Sequence, residues 1–178
     1  EIINYVFIIL RNLKKKGLCL MADSIKKTEL VDFLNDRYLL FTIEGSYYGL
    51  PLALALEILT MQSITKLPRV ADYVKGIINL RGKVIPVLDV RKKLGVTEHP
   101  CDDENCIIVI AINDMHVGLI VDMVSEVTTI PSDRIVPPPK TIGDKANYIS
   151  SISQLDNKIV LNLDCEKFFL NDFDLVVS

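Results

Sequence analysis

From Tyr38 onward the chain breaks into short apolar runs, each closed by turn residues, and this punctuation limits its fold more than any other feature. Glu44-Gly45-Ser46, Arg81-Gly82, Asn113-Asp114 and Leu155-Asp156-Asn157 interrupt runs too short for long helices. Turn signals recur about every 8–12 residues, the rhythm of barrels and sandwiches. The spacing predicts strands at 38–43, 47–50, 76–80, 83–90, 106–112, 115–121, 124–130, 148–154 and 158–163. That is roughly nine or ten short strands, more than one small barrel uses, which fits two small barrels.

Local chemistry refines this outline. Arg81-Gly82 is a two-residue link between apolar runs, a hairpin signal because Gly accepts positive φ. Pro86 cannot donate to a ladder, so its strand is expected at an edge or a bulge. Residues 52–60 are apolar nearly throughout; Ala and Leu favour helix there, strands flank the segment, and periodicity leaves helix or strand open. Single helical turns are expected at 71–75 and 90–94, and Asp164 is expected to cap a last helix over 165–170. Pro131 and the run Pro137–Pro139 mark an extended connector.

Hydrophobic residues make up 49% of the chain, Trp is absent and aromatics are only 7%, so the core must be built from Ile, Leu and Val, and disorder is excluded. A net charge of −3, with no basic stripe among aromatics, gives no attraction for phosphate backbones, and nucleic acid is not an expected partner. Cys19, Cys101, Cys106 and Cys165 form no C-x-x-C pair and no disulfide framework, which suits reduced thiols in a cytoplasm.

The N-terminal segment stands apart. Residues 2–10 are apolar, and Arg11 and Lys14–Lys16 follow them, the reverse of a signal peptide. The run is about half of what a membrane-spanning helix needs, so no membrane insertion is expected. Residues 1–20 are expected to be an upstream extension, with Met21 as the start; Lys-Lys-Lys-Gly is what a purine-rich ribosome-binding site would encode. The rival reading is a short membrane-touching anchor. Residues 21–36 are expected to be a lead-in of helix or coil, with Leu30, Phe33 and Leu34 on one stripe.

Signals of catalysis are sparse. His99 and His116 are the only histidines, a thin supply of acid–base groups near neutral pH. No phosphate-cradling glycine loop and no nucleophile elbow is present. The loop from His99 to Cys106 carries two cysteines and three carboxylates, but its spacing matches no zinc pattern. No cofactor and no metal is expected. A small thiol or metal enzyme using Cys101, Cys106 and His99 remains as the alternative from a different class.

Two stretches carry a resemblance. Val74-Lys75-Gly76-Ile77-Ile78-Asn79-Leu80-Arg81-Gly82 runs into Ile85-Pro86-Val87-Leu88-Asp89-Val90-Arg91, and Val117–Asp122 is followed by Val124-Ser125-Glu126-Val127. These resemble the CheW-like domain family, over residues 37–170, with 171–178 as a tail. The resemblance implies a mostly β fold of two intertwined five-stranded SH3-like barrels with a few short helices, and no catalytic activity. It implies an adaptor in bacterial chemotaxis signalling, a two-component system. Such an adaptor couples the cytoplasmic signalling tip of chemoreceptors to the regulatory domain of the histidine kinase CheA, in arrays beneath the inner membrane. The close variant is a regulatory module of a CheA- or CheV-type protein, which would need phosphotransfer, ATP-binding or receiver segments. By the same resemblance the partner-binding residues are Arg81, Glu57, Asn79, Leu80, Gly82, Gly76, Gly118, Val124 and Val127. Glu57 is the only charge between Leu50 and Lys66, so it must reach solvent or a partner. Arg81 could pair within the chain with a carboxylate such as Glu57. Val124 and Val127, three apart on a strand, would face opposite sides unless a bulge intervenes.

Overall fold

Apolar runs with no polar alternation, such as Cys-Ile-Ile-Val-Ile-Ala-Ile at 106–112, require strands covered on both faces. The computed structural model describes residues 36–96, 105–112, 115–139 and 148–169, and it meets that requirement. Expectations for residues 1–20, the lead-in before Asp36, the loop with His99 and Cys101, the Asn113-Asp114 turn and the tail after Phe169 lie outside the described residues.

Among the described residues the strands are β1 (Arg37–Ile43), β2 (Ser46–Pro51), β3 (Ala55–Thr60), β4 (Val74–Leu80), β5 (Lys83–Asp89), β6 (Cys106–Ile112), β7 (Met115–Val121), β8 (Met123–Thr129), β9 (Ile135–Val136), β10 (Ile149–Leu155) and β11 (Lys158–Leu163). Two short helices accompany them, α1 (Val90–Lys93) and α2 (Cys165–Phe169). The strands form a six-stranded sheet, in the order β8-β1-β2-β11-β10-β9, and a five-stranded sheet, in the order β3-β6-β7-β5-β4. The chain starts the first sheet with β1 and β2, builds the whole second sheet, and returns to finish the first. This is the expected mostly β architecture of two interleaved units; the two-residue β9 is the sixth strand of the larger sheet.

Each sheet has a core of its own and shares a third. Leu39, Phe41, Leu50, Leu88, Ile108, Ile110 and Leu119 meet in a central cluster between the sheets. Ile78, Ile85, Val87, Ile107, Val109 and Ile120 fill the other face of the five-stranded sheet. Leu40, Ile130 and Val160 do the same for the six-stranded sheet. Successive residues of β6 therefore serve two cores in turn, which is why its sequence does not alternate.

The open segment at 52–60 divides: Leu52–Leu54 form one 3-10 turn after Pro51, and β3 follows. The helical turn expected at 71–75 is corrected. Val74 and Lys75 already belong to β4, and only a turn precedes them, closed by Val74 N–H donating to Ala71 O at 2.8 Å. Val74 is buried opposite Leu88. Burying that side chain is worth about 1.5–3 kcal/mol, against a few tenths for local helix propensity. Of the two expectations for Pro86 the edge fails, since β5 is an interior strand, while a register shift between Val74 and Gly76 interrupts the β4–β5 ladder beside it. Its partner Ile77 turns both backbone groups toward Thr65, away from β5. Pro86 N therefore points to the other side, where the β5–β7 ladder begins only at Val87.

Among the described residues, no helix is long and apolar enough to cross a membrane.

Candidate functional site: the Arg81 corner

The β4–β5 hairpin is set by its four turn residues. Leu80 pairs with Lys83, and Arg81 and Gly82 both take positive φ, 52° and 84°, the conformation of the tightest hairpin turns. Asn79 Oδ1 accepts from Gly82 N–H at 2.9 Å, stapling the turn from within. Leu80 anchors it by packing on the core of the five-stranded sheet. Each residue of Asn-Leu-Arg-Gly thus has a mechanical role, and Arg81 is left projecting from a rigid tip with its side chain 73% exposed.

Glu57 meets it from the opposite edge of the sheet. β3 and β4 are the two outer strands of the five, yet Arg81 Nη2 lies 2.5 Å from Glu57 Oε1. Glu57 keeps only 10% of its side chain exposed, so it satisfies its charge on Arg81 rather than in bulk water. A backbone link reinforces this approach of the edges. Thr65, just past β3, and Ile77 on β4 exchange N–H···O bonds of 2.9 Å in both directions. Gly76 makes that link possible. Its φ is 141°, and a Cβ there would stand 2.1 Å from Thr65 O. Val84, close to the turn on β5, is an exposed apolar side chain.

The remaining candidates are not gathered at this corner. Gly118 lies inside β7, where an added Cβ would come within 2.9 Å of Ile107 Cγ2. Val124 is buried in the central core, and Val127 packs against the same core. A bulge explains why both face inward: Leu40 pairs with Glu126 and Phe41 with Val124, leaving Ser125 unpaired. Gly118 and Val124 are therefore buried and present no side chain to solvent. Arg81, Glu57, Asn79, Leu80 and Gly82 come together; Gly76 supports them from the far end of β4.

Sequence reasoning missed a second set of charges at the seam between the sheets. Arg91 Nε donates to Asp122 Oδ1 at 2.6 Å, with both side chains mostly buried. The other carboxylate oxygen of Asp122 accepts from Glu44 N–H at 2.8 Å. Asp89 Oδ1 caps α1 by accepting from Lys92 N–H at 3.2 Å, and its other oxygen faces Lys75 Nζ at 3.3 Å. Asp89, Arg91 and Asp122 all stand in the two motifs quoted above, but nothing in a linear reading pairs residues from separate motifs.

The thiol alternative gains nothing from Cys106. Burial pushes its pKa up to about 11, with the Asp122 charge adding and a hydrogen bond from the Val124 backbone opposing. Such a thiol stays protonated and unreactive near neutral pH. Among the described residues no group of three or more His, Cys, Asp or Glu could hold a metal ion.

Comparison with known proteins points one way. The family model described as CheW-like domain matches residues 37–172. The chain is similar to the chemotaxis protein CheW of Bacillus subtilis (strain 168), 33% identical over 130 residues, covering 72% of this chain and 83% of that protein. The Klebsiella aerogenes chemotaxis protein CheW is 26% identical over 140 residues, covering 78% and 84%. Among solved structures, the scaffolding protein TtCheW of Thermoanaerobacter tengcongensis superposes with a TM-score of 0.72 at 33% identity, covering 75% of this chain and 92% of that one.

Proposed function

The chain belongs to the CheW-like domain family, and from that premise we propose that it is a chemotaxis scaffold coupling receptors to a histidine kinase. The two relatives described above are chemotaxis proteins, and the solved neighbour is a scaffolding protein. The observation that carries the reading is the Arg81–Glu57 corner. It holds a planar guanidinium on a stapled turn, fixed by a mostly buried carboxylate. An Arg held in place is a common anchor in protein interfaces, because little side-chain entropy remains to be lost on binding.

On this reading the partners are the cytoplasmic signalling tip of a chemoreceptor and the regulatory domain of the kinase, and the scaffold works at receptor arrays on the cytoplasmic side of the inner membrane. No bond is made or broken by the scaffold itself. Arg81, with Glu57 behind it, supplies a contact; Asn79, Leu80, Gly82 and Gly76 hold the tip in place. Gly118, Val124 and Val127 shape the strands around the seam. Reconstitution tests the assignment: receptor vesicles and kinase are assayed for autophosphorylation with and without the chain. Stimulation by the wild type, and its loss with Arg81→Ala in a folded protein, supports the proposal. No stimulation by the wild type overturns it.

A further inference from the structure

α1 is four residues long, yet it touches both halves of the fold. It follows β5 of the five-stranded sheet directly. On one side Arg91 holds Asp122, whose N–H donates to Thr42 O at 3.2 Å on β1 of the six-stranded sheet. On the other side Lys93 enters a box of rings. Its Nζ lies 4.5 Å from the centroid of Tyr73, 4.8 Å from Phe168, 5.7 Å from Phe169 and 5.8 Å from Tyr148. Tyr73 leads into β4. Tyr148 leads into β10, and Phe168 and Phe169 form the buried face of α2 behind β11.

The box is itself well built. Tyr148 and Phe168 meet edge to face at 5.1 Å, as do Phe168 and Phe169 at 5.2 Å. The rings' electron-rich faces attract a cation most strongly when water is kept away, and Phe168 and Phe169 are fully buried. An aliphatic residue at 93 would fill much of the same space without this attraction. Of the walls, one comes from a segment entering the five-stranded sheet and three from segments flanking strands of the other.

We propose that Lys93 is a positioning residue that clasps the two lobes together through its ring box, with Arg91–Asp122 as the second tether on the same helical turn. The clasp adds α1 to the shared core as an element that fixes how the lobes face each other. Resting on the scaffold reading above, the clasp serves coupling by keeping the surfaces offered to the two partners in a fixed relation. Lys93 touches neither partner and acts through lobe orientation.

The experiment compares wild type, Lys93→Met and Lys93→Arg. Spin labels are placed at two exposed sites, Val84→Cys on β5 and Ile159→Cys on β11, in a chain whose Cys19 and Cys101 are replaced by Ser. Pulsed electron resonance then reads the interlobe distance distribution. In parallel, unlabelled chains are titrated with a receptor-tip fragment, the kinase regulatory domain, and both together. Lys93→Met is expected to broaden the distribution and to cut the mutual enhancement of the two partners about fivefold, while each binary affinity stays within about twofold; Lys93→Arg restores both. If Lys93→Met does not fold, Tyr148→Leu opens the box from the other lobe and carries the same expectation. An unchanged distribution, or no recovery with Arg, overturns the clasp. Failure of the wild type to bind either partner refutes the scaffold reading instead, and the distance measurement still decides the clasp on its own.

Discussion

Arg81 on the β4–β5 turn and Glu57 on β3 lie 2.5 Å apart and join the two outer strands of one sheet. The pair is unequal: the guanidinium is largely in water and the carboxylate is not. Screening limits the attraction itself to about 0–1 kcal/mol. Removing Arg81 does more, because it strands a buried charge.

Arg81→Ala is therefore expected to destabilise by about 1–2 kcal/mol, and Glu57→Gln by less, since a neutral amide tolerates the site better. The double variant should cost less than the sum of the singles. Urea unfolding of the four proteins measures this cycle. Strict additivity would show that the two side chains do not act as a pair.

Gly76 and Gly82 both take positive φ, but their surroundings differ. At Gly82 an added Cβ meets nothing within 4 Å, whereas at Gly76 it collides with the Thr65 backbone. Gly82→Ala should cost about 1 kcal/mol from backbone strain alone. Gly76→Ala must break the Thr65–Ile77 bridge and should cost more than about 2 kcal/mol. Thermal unfolding ranks them; equal losses would contradict the close approach.

Much of this is legible in the sequence, and the rest is hidden for specific reasons. The hairpin at Arg81-Gly82 declares itself because its chemistry is local and only a few conformations suit it. β6 and β7 match their predicted limits because turn-forming residue types punctuate the sequence around them. Val74 escapes a linear reading because its strand identity comes from Leu88, fourteen residues away. β9 escapes it too, because two residues carry no periodicity and its partner β10 lies beyond the proline-rich connector. Glu57 is recognisable as a charge in need of a partner, and Arg81 is among the partners the sequence offers. The links of Arg91 to Asp122 and of Lys93 to four rings depend on how the sheets interleave, which no local pattern encodes.

Cys106 and Cys165 are buried thiols, with pKa values pushed up to about 11 and about 12, in each case first by burial. In the folded chain at pH 8, peptide mapping should find neither alkylated by iodoacetamide, and both should react in urea. The raised values also set a stability slope. Above the ordinary thiol value of 9.0 the unfolded chain releases protons that the folded chain keeps, so stability falls as pH rises toward about 11. Rapid native labelling of Cys106 would contradict its burial.

Asp164 caps α2. Its Oδ1 accepts from Lys167 N–H at 3.1 Å, and Lys167 Nζ stands 2.9 Å from Oδ2. Burial acts to raise its pKa, but the hydrogen bonds and charge of Lys167 outweigh it and hold the carboxyl below its ordinary value. A lowered folded pKa means the contribution is present above the unfolded value, near about 4, and is lost as pH falls through the folded one. Asp164→Ala should cost about 1 kcal/mol at neutral pH, and the gap from wild type should shrink below about pH 4. A gap that does not change with pH would remove the charge from the account.

On the scaffold reading, one small β protein holds two macromolecules at once. Sedimentation velocity tests it most directly, with the chain mixed with a receptor signalling-tip fragment, with the kinase regulatory domain, and with both. A ternary boundary larger than either binary one, lost on Arg81→Ala while the variant stays folded, is the predicted result. Binding of the two fragments in strict competition, or of neither, would contradict it.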